Sequence, residues 1–313
     1  MVSRNSLYGP LDPAPDAGWD GDQPRMGFFT DTSVCIGCKA CEVACKEWNL
    51  VPEDGIDLLG SSYDNTGALS ANTWRHVAFV EQPGVPARAD GEGQSTPEPP
   101  AREPEFLGMP AATLPGKQRD PAEATEFRWL MSSDVCKHCT HAACLDVCPT
   151  GALFRTEFGT VVVQEDICNG CGYCIPACPY GVIDQRKDDG RAWKCTLCYD
   201  RIGAGQNPAC AQACPTESIQ YGPVDELRER AAARLATLQE RGEDRAQLYG
   251  ADPEDGVGGA GAFFLLLDDP EVYGLPPDPV VTTRDVPAMW KRAALAGLAM
   301  VGAAVVAFAG SGS

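Results

Sequence analysis

Cys168-Asn169-Gly170-Cys171-Gly172-Tyr173-Cys174-Ile175-Pro176-Ala177-Cys178-Pro179 decides how the whole chain is read. Three cysteines, each separated from the next by two residues, can wrap one corner of an iron–sulfur cube in a tight turn. The fourth, three residues on and followed by proline, points away toward a different cube. Proline ends the ligand turn because it cannot continue a regular hydrogen-bonded backbone. The pattern occurs three more times with small changes. Cys35, Cys38, Cys41 and Cys45 form the first run, Cys136, Cys139, Cys144 and Cys148 the second, and Cys195, Cys198, Cys210 and Cys214 the fourth. Pro149 and Pro215 close the second and fourth runs as Pro179 closes the third. All 16 cysteines are used.

These spacings predict [4Fe–4S] clusters, four of them in two pairs. Disulfides between such close cysteines would be strained and redundant. Zinc also takes four cysteines, but its sites combine two separated Cys-x2-Cys pairs and need neither the third close cysteine nor the Cys-Pro ending. A zinc-rich scaffold is thus the rival from another class. A single CxxC is weak evidence, whereas a fourfold pattern is strong. A chain that commits every thiol to clusters reads as a relay for electrons.

The formal charge is −19, from 44 acidic against 25 basic residues in a chain of 313. Each oxidised cluster with its thiolates adds about two more negative charges. Nucleic acid is excluded as a partner, because phosphate binding needs a basic face. Met1 to Pro24 is polar and rich in Gly, Pro and Asp, so no secretory or twin-arginine signal is expected there. Free thiols in such number fit assembly in a reducing cytosol. No nucleophile–base pair stands out, and Gly256–Gly261 reads as a flexible turn, not a phosphate loop. The chain is expected to have no small-molecule substrate and to catalyse nothing alone.

The fold class read from this pattern is α+β: two ferredoxin-like dicluster modules, one of them discontinuous, with a C-terminal single transmembrane helix. Residues 128–189 hold runs two and three and make one module; 26–60 and 190–223 hold runs one and four and make the other. A polar arm fills 1–25, and an insertion with a Pro- and Glu-rich loop fills 61–127. Strands are expected over Asn72–Val80, Gly159–Val163 and Ala262–Leu267. Thr150-Gly151-Ala152-Leu153, Tyr180-Gly181-Val182-Ile183 and Thr216-Glu217-Ser218-Ile219 each follow Cys-Pro, the internal symmetry of a duplicated module. Residues 224–289 read as a helix and a Pro-rich surface segment. Leu227, Ala231, Leu235 and Leu238 mark one face of a helix over Asp225–Arg241, with Gly242 able to cap it.

Ala293 to Ala309 contains no charged or strongly polar residue and is preceded by Trp290, Lys291 and Arg292. At ~1.5 Å per residue it spans roughly 26 Å, close to a ~30 Å hydrocarbon core. An anchor over 290–310 in the lipid bilayer of the plasma membrane is the expectation, with Gly297 and Gly302 suited to helix contacts.

Cys35-Ile36-Gly37-Cys38-Lys39-Ala40-Cys41, Cys168-Asn169-Gly170-Cys171-Gly172-Tyr173-Cys174 and Trp193-Lys194-Cys195-Thr196-Leu197-Cys198-Tyr199-Asp200-Arg201 together resemble the iron–sulfur beta subunit of membrane-bound formate dehydrogenases, in the molybdopterin oxidoreductase family. Ser62–Gly67, Asn72-Thr73-Trp74-Arg75-His76, Gly256-Val257-Gly258-Gly259 and Tyr273-Gly274-Leu275-Pro276 extend the likeness beyond the cysteines. It covers most of Gly27 to Val281.

The resemblance implies a non-catalytic subunit that passes electrons from a molybdenum or tungsten pterin catalytic subunit to an integral-membrane, quinone- or haem-binding subunit. It also implies ligand sets that cross between runs. Cluster one takes Cys35, Cys38, Cys41 and Cys214 and lies nearest the catalytic subunit. Cluster two takes Cys45, Cys195, Cys198 and Cys210. Cluster three takes Cys136, Cys139, Cys144 and Cys178. Cluster four takes Cys148, Cys168, Cys171 and Cys174 and lies nearest the membrane. The same relay serves other molybdopterin oxidoreductases and hydrogenases. In this chain Lys46 replaces the proline after Cys45. The basic residues flanking the anchor lie on its cluster-domain side, and positive-inside bias puts that domain on the cytoplasmic face, whereas the best-known relatives face the periplasm. His138 and Lys194 are candidates to tune a cluster, by hydrogen bonding and by charge. His138 otherwise reads as a surface or supporting histidine, Lys194 as pointing to water, and His76 and His141 as ordinary.

Overall fold

The computed structural model describes residues 23–55, 63–64, 66–82 and 128–310. Most of the polar arm, the loop from 83 to 127, and Ser62 and Asn65 of the resemblance lie outside the described residues. One compact unit is Met1–Val80 with Met131–Ser313, and a second is Glu81–Leu130. In chain order the strands are β1 (Met26–Asp31), β2 (Arg75–Gln82), β3 (Arg128–Val135), β4 (Leu153–Arg155), β5 (Val161–Val163), β6 (Asp184–Gln185), β7 (Ala192–Trp193), β8 (Ile219–Pro223), β9 (Gln247–Tyr249) and β10 (Ala262–Leu266). The helices are α1 (Ala40–Trp48), α2 (Ala143–Asp146), α3 (Cys174–Ala177), α4 (Tyr199–Gly203), α5 (Ala209–Gln212), α6 (Val224–Glu240) and α7 (Val286–Gly310).

A four-stranded sheet in the order β8-β1-β10-β9 carries the main apolar core. β1 pairs antiparallel with β8 and parallel with β10, Phe28 lying between Tyr221 and Ala262. Every residue of β10 is buried, as its unbroken apolar run requires of a strand covered on both faces. α6 starts one residue before its predicted limit and ends one short of it. It lays Val224, Leu227, Ala231 and Leu238 on Phe29, Phe263 and Leu265, with Leu235 partly buried beside them. Gly242 caps the helix with φ +92°, its N–H donating to Gln239 O. The remaining strands form two-stranded pairs: β2 with β3, β4 with β5, and β6 with β7.

Proline sets where the cluster-run helices stop. α2, α3 and α5 are single turns, and each ends before a Cys-Pro pair. A residue preceding proline is pushed out of the helical region, and Cys178 has ψ 116°. After Cys45 there is no proline, and α1 continues to Trp48. Its Lys46 ammonium is held by Pro52 O at 3.1 Å and Asn72 O at 2.9 Å.

Two strands start later than their sequence implies. Ser70 Oγ accepts the N–H groups of Asn72 and Thr73 in a tight turn, so β2 begins at Arg75. Gly159, at φ +72°, closes a turn from Thr156 to Thr160, so β5 begins at Val161. The Gly256–Gly261 segment is not a loose turn but a packed cover. Its Val257 O and Gly259 O accept from His141 N–H and Thr140 N–H, and a Cβ on Gly258 would lie 2.4 Å from the His141 ring. Downstream, Tyr273, Leu275 and Val281 are buried, so the Pro-rich segment is tucked in at those points.

α7 is 25 residues long, and its stretch Ala288–Phe308 has mean hydropathy 1.6 with none of it buried. The helix is long and apolar enough to cross a membrane.

Candidate metal centres

The first Cys-x2-Cys turn of each run carries a left-handed residue just before its second cysteine. Gly37 (φ +63°), His138 (+44°), Gly170 (+72°) and Leu197 (+58°) all precede the second cysteine of their run. This conformation bends the backbone sharply enough to bring the thiols of a run to one side. Histidine and leucine adopt it at a cost of order 1 kcal/mol, which the surrounding packing holds in place. The segments after Cys-Pro repeat just as closely. Gly151, Gly181 and Glu217 all have positive φ, and their N–H groups donate to the carbonyls of Cys148, Cys178 and Cys214.

Folding brings the cysteines together across runs. One cavity is lined by Cys35, Cys38 and Cys41 with Cys214, whose sequence position is far away. A second is lined by Cys136, Cys139 and Cys144 with Cys178. A third is lined by Cys168, Cys171 and Cys174 with Cys148. The remaining thiols are Cys45, Cys195, Cys198 and Cys210, all buried. Asn49 Nδ2 lies 3.7 Å from Cys45 Sγ and 3.8 Å from Cys198 Sγ, and the side chains of Cys195 and Cys210 act electrostatically on Cys45. Trp48 Nε1 donates to Asp200 at 2.8 Å, and the Arg201 guanidinium stacks 4.1 Å from the Trp48 ring, so α1 is tied to the fourth run.

The donor set suits a polynuclear iron–sulfur group. Burial, aided by neighbouring thiols, pushes Cys144 and Cys195 up to about 12 and Cys45 and Cys139 well above the usual thiol value. Burial likewise takes Cys174 and Cys210 up to about 11. Thiols crowded this way bind as thiolates only when a strong cationic group replaces their protons. Among the described residues no three His, Cys, Asp or Glu side chains converge closely enough for one metal ion. Four thiols lining one cavity suit a cube. Polar hydrogens are also aimed at sulfur. Ser133 Oγ lies 3.2 Å from Cys41 Sγ, Leu197 N–H donates to Cys195 Sγ at 3.3 Å, and Ala192 N–H to Cys168 Sγ at 3.5 Å. At Cys148 burial alone would raise the thiol, but the amides of Leu153, Thr150 and Ala152 and the Thr150 hydroxyl favour the thiolate and lower it.

His138 is buried in the wall of the cavity that Cys139 lines, not on the surface. Its Nδ1 accepts from Val161 N–H at 3.1 Å, which assigns the ring proton to Nε2. Nε2 has no partner among the described residues, so an orphaned donor borders the cavity. Lys194 does not point to water. It is 2 % exposed, and its ammonium donates to Val161 O and to Cys195 O. His76 pairs with Asp64 at 2.9 Å. Sequence reasoning gives no role to Arg75, Lys137, Ser133 or Asn49. The signal for Arg75 is a charge opening the apolar run Val77-Ala78-Phe79-Val80, where a half-buried strand should turn it outward.

Fold and cysteine geometry together define an iron–sulfur protein made of dicluster modules. Residues 34–152 and residues 127–224 each match a family model described as a 4Fe-4S dicluster domain. The formate dehydrogenase-O iron–sulfur subunit of Escherichia coli K12 is 36% identical over 314 residues, 97% of this chain and 89% of that protein. The iron–sulfur subunit of the nitrate-inducible formate dehydrogenase of the same organism is 38% identical over 273 residues, 86% and 78% of the two proteins. The B subunit of the E. coli anaerobic dimethyl sulfoxide reductase is 33% identical over 207 residues, 66% and 77% of the two. The chain belongs to the family of formate dehydrogenase iron–sulfur subunits.

Proposed function

We propose that this chain is the non-catalytic electron-transfer subunit of a formate dehydrogenase, relaying electrons through four [4Fe–4S] clusters. The observation that supports the reading is that three cavities are each lined by four thiols drawn from two runs, with Cys45, Cys195, Cys198 and Cys210 as the buried remainder. Bound cubanes supply one-electron carriers, and their ligands are the four sets: Cys35, Cys38, Cys41 and Cys214; Cys45, Cys195, Cys198 and Cys210; Cys136, Cys139, Cys144 and Cys178; Cys148, Cys168, Cys171 and Cys174.

The protein's own groups support a linear order. Cys41 acts electrostatically on Cys210, Cys136 on Cys195, and Cys174 on Cys144, which links sets one to two, two to three and three to four. The exposed thiols Cys38 and Cys171 belong to the terminal sets, where partners must approach. Exposed Ile36 and Tyr173 flank them and offer apolar contact. Electrons then enter at set one from a molybdenum or tungsten pterin subunit. They leave at set four to an integral-membrane quinone-linked subunit, against which α7 packs. The modules 26–60 with 190–223 and 128–189 are the two halves of this path. Lys291 and Arg292 favour a cytoplasmic cluster domain.

Anaerobically purified complex should hold about sixteen irons per copy of this chain, four per cubane, and should reduce benzyl viologen with formate. Zinc near four per chain with no brown colour would end the redox reading. The match to a dimethyl sulfoxide reductase subunit keeps a second reading, the same relay beside another molybdopterin enzyme. Viologen assays with formate, thiosulfate, nitrate and hydrogen separate the two, and protease access in spheroplasts tests the membrane side.

A further inference from the structure

Arg75 opens β2 and is among the largest fully buried side chains in the protein. Guanidinium stays charged in proteins, so this is a permanent cation cut off from water. Its Nη1 donates to Ser133 O at 3.3 Å and to Ser133 Oγ at 3.1 Å. Its plane lies over Phe28, 4.9 Å from the ring centre. Nε and Nη2, although buried, have no partner among the described residues. An unpaired buried donor on a charged group costs several kcal/mol, so a folded protein retains one only where an acceptor completes it.

Beyond Ser133, the strongest influences on Arg75 other than burial are thiols. Ser133 links it directly to Cys41, 3.2 Å from that hydroxyl, and Ser133 lines the cavity of the first set. Thiols of the second set act on it electrostatically. Burial works against the charge of Arg75, yet the groups acting on it most strongly after that, Cys210, Cys41, Cys195 and Cys45, favour it and prevail. Reciprocally, Arg75 favours the thiolate form at Cys41, Cys45, Cys195, Cys198 and Cys210. These thiols belong to sets one and two.

We infer that Arg75 is a cation shared by the first and second cluster sites, its free N–H groups donating to sulfur and its charge raising both potentials. The inference rests on the ligand sets proposed above. An oxidised cubane with four thiolates carries about two negative charges, and a one-electron reduction adds a third. Two such anions side by side oppose each other's reduction. A fixed cation between them lowers that opposition at both, and hydrogen bonds to sulfur act in the same direction.

The test is an EPR-monitored redox titration of the anaerobic holo-complex with Arg75, Arg75→Met and Arg75→Lys, each with its iron counted. Failure of the unaltered complex to hold about sixteen irons would refute the ligand sets themselves. With iron retained, Arg75→Met should lower the reduced-to-oxidised ratio of two cluster signals at least tenfold at fixed potential. For one electron that is about 59 mV. The other two signals should stay in place, and Lys should recover much of the shift. Unmoved midpoints, or four signals moving together, would overturn the inference. Where Met empties the sites, rescue of iron loading by Lys supports a requirement for charge, and failure of Lys to rescue it assigns Arg75 to packing and overturns the inference.

Discussion

Single residues decide whether a cysteine run can turn. Gly170 sits at φ +72°, and a Cβ there would lie 2.4 Å from the Gly190 carbonyl oxygen. Gly181 has a similar φ of +62° but open space around it. Gly181→Ala should therefore cost about 1 kcal/mol in backbone strain. Gly170→Ala should cost roughly 1–3 kcal/mol more, because backbone has to move. Comparing the temperatures at which the iron–sulfur absorption bleaches in the two variants checks the difference. Cysteine replacement tests the crossing of the runs. Cys38→Ser and Cys214→Ser, though far apart in sequence, should extinguish the same EPR signal and each lower the iron count by about four, one cubane. Two different signals lost would refute the shared set. The residue scale is also where sequence reasoning stops short. The cysteines are legible because ligand spacing is local. Arg75 is not, because a charge inside a dicluster core becomes reasonable only once thiols from several runs surround it; Lys194 can be picked out beside Cys195, but its burial cannot.

Elements explain why the cluster-binding turns hold their shape. α6 covers the β8-β1-β10-β9 sheet, and the fourth run leads directly into β8 while the first follows β1. The sheet thus fixes the ends of two distant runs side by side. Leu227, 1 % exposed, lies at the centre of that contact. Leu227→Ala should destabilise the fold by about 2–5 kcal/mol. Loss of the first and second cluster signals on heating should come earlier in this variant than loss of the other two. α6 can be read from its apolar spacing to within one residue at each end, and β10 from its apolar run. β1 does not declare itself as a strand, because its partners β8 and β10 lie far along the chain and only their pairing makes it one. The short α2, α3 and α5 likewise follow from the prolines behind them more than from any periodicity.

At the scale of the molecule, the cluster-binding unit and α7 make different demands. α7 exposes Leu295, Leu298, Val301, Val305 and Phe308, a surface that water does not favour. None of these residues contributes to the buried core around the thiols. A chain ending at Asp285 should keep its full iron content and EPR signals while moving from the membrane fraction to the soluble one. Retention in the membrane would show that a partner, not α7, holds it there. α7 is legible from composition alone, since an apolar helix needs no tertiary context to declare itself.

Solvent access is uneven across the cysteines. Cys38 and Cys171 meet water, whereas Cys45, Cys195, Cys198 and Cys210 are sealed inside. Air should accordingly attack this protein first at its exposed thiols. Brief oxygen exposure should erase the signals tied to Cys38 and Cys171 first and leave the sealed centre intact longest. Partner subunits seated over these two thiols would then act as shields as well as contacts, and the isolated chain should age faster in air than the assembled complex.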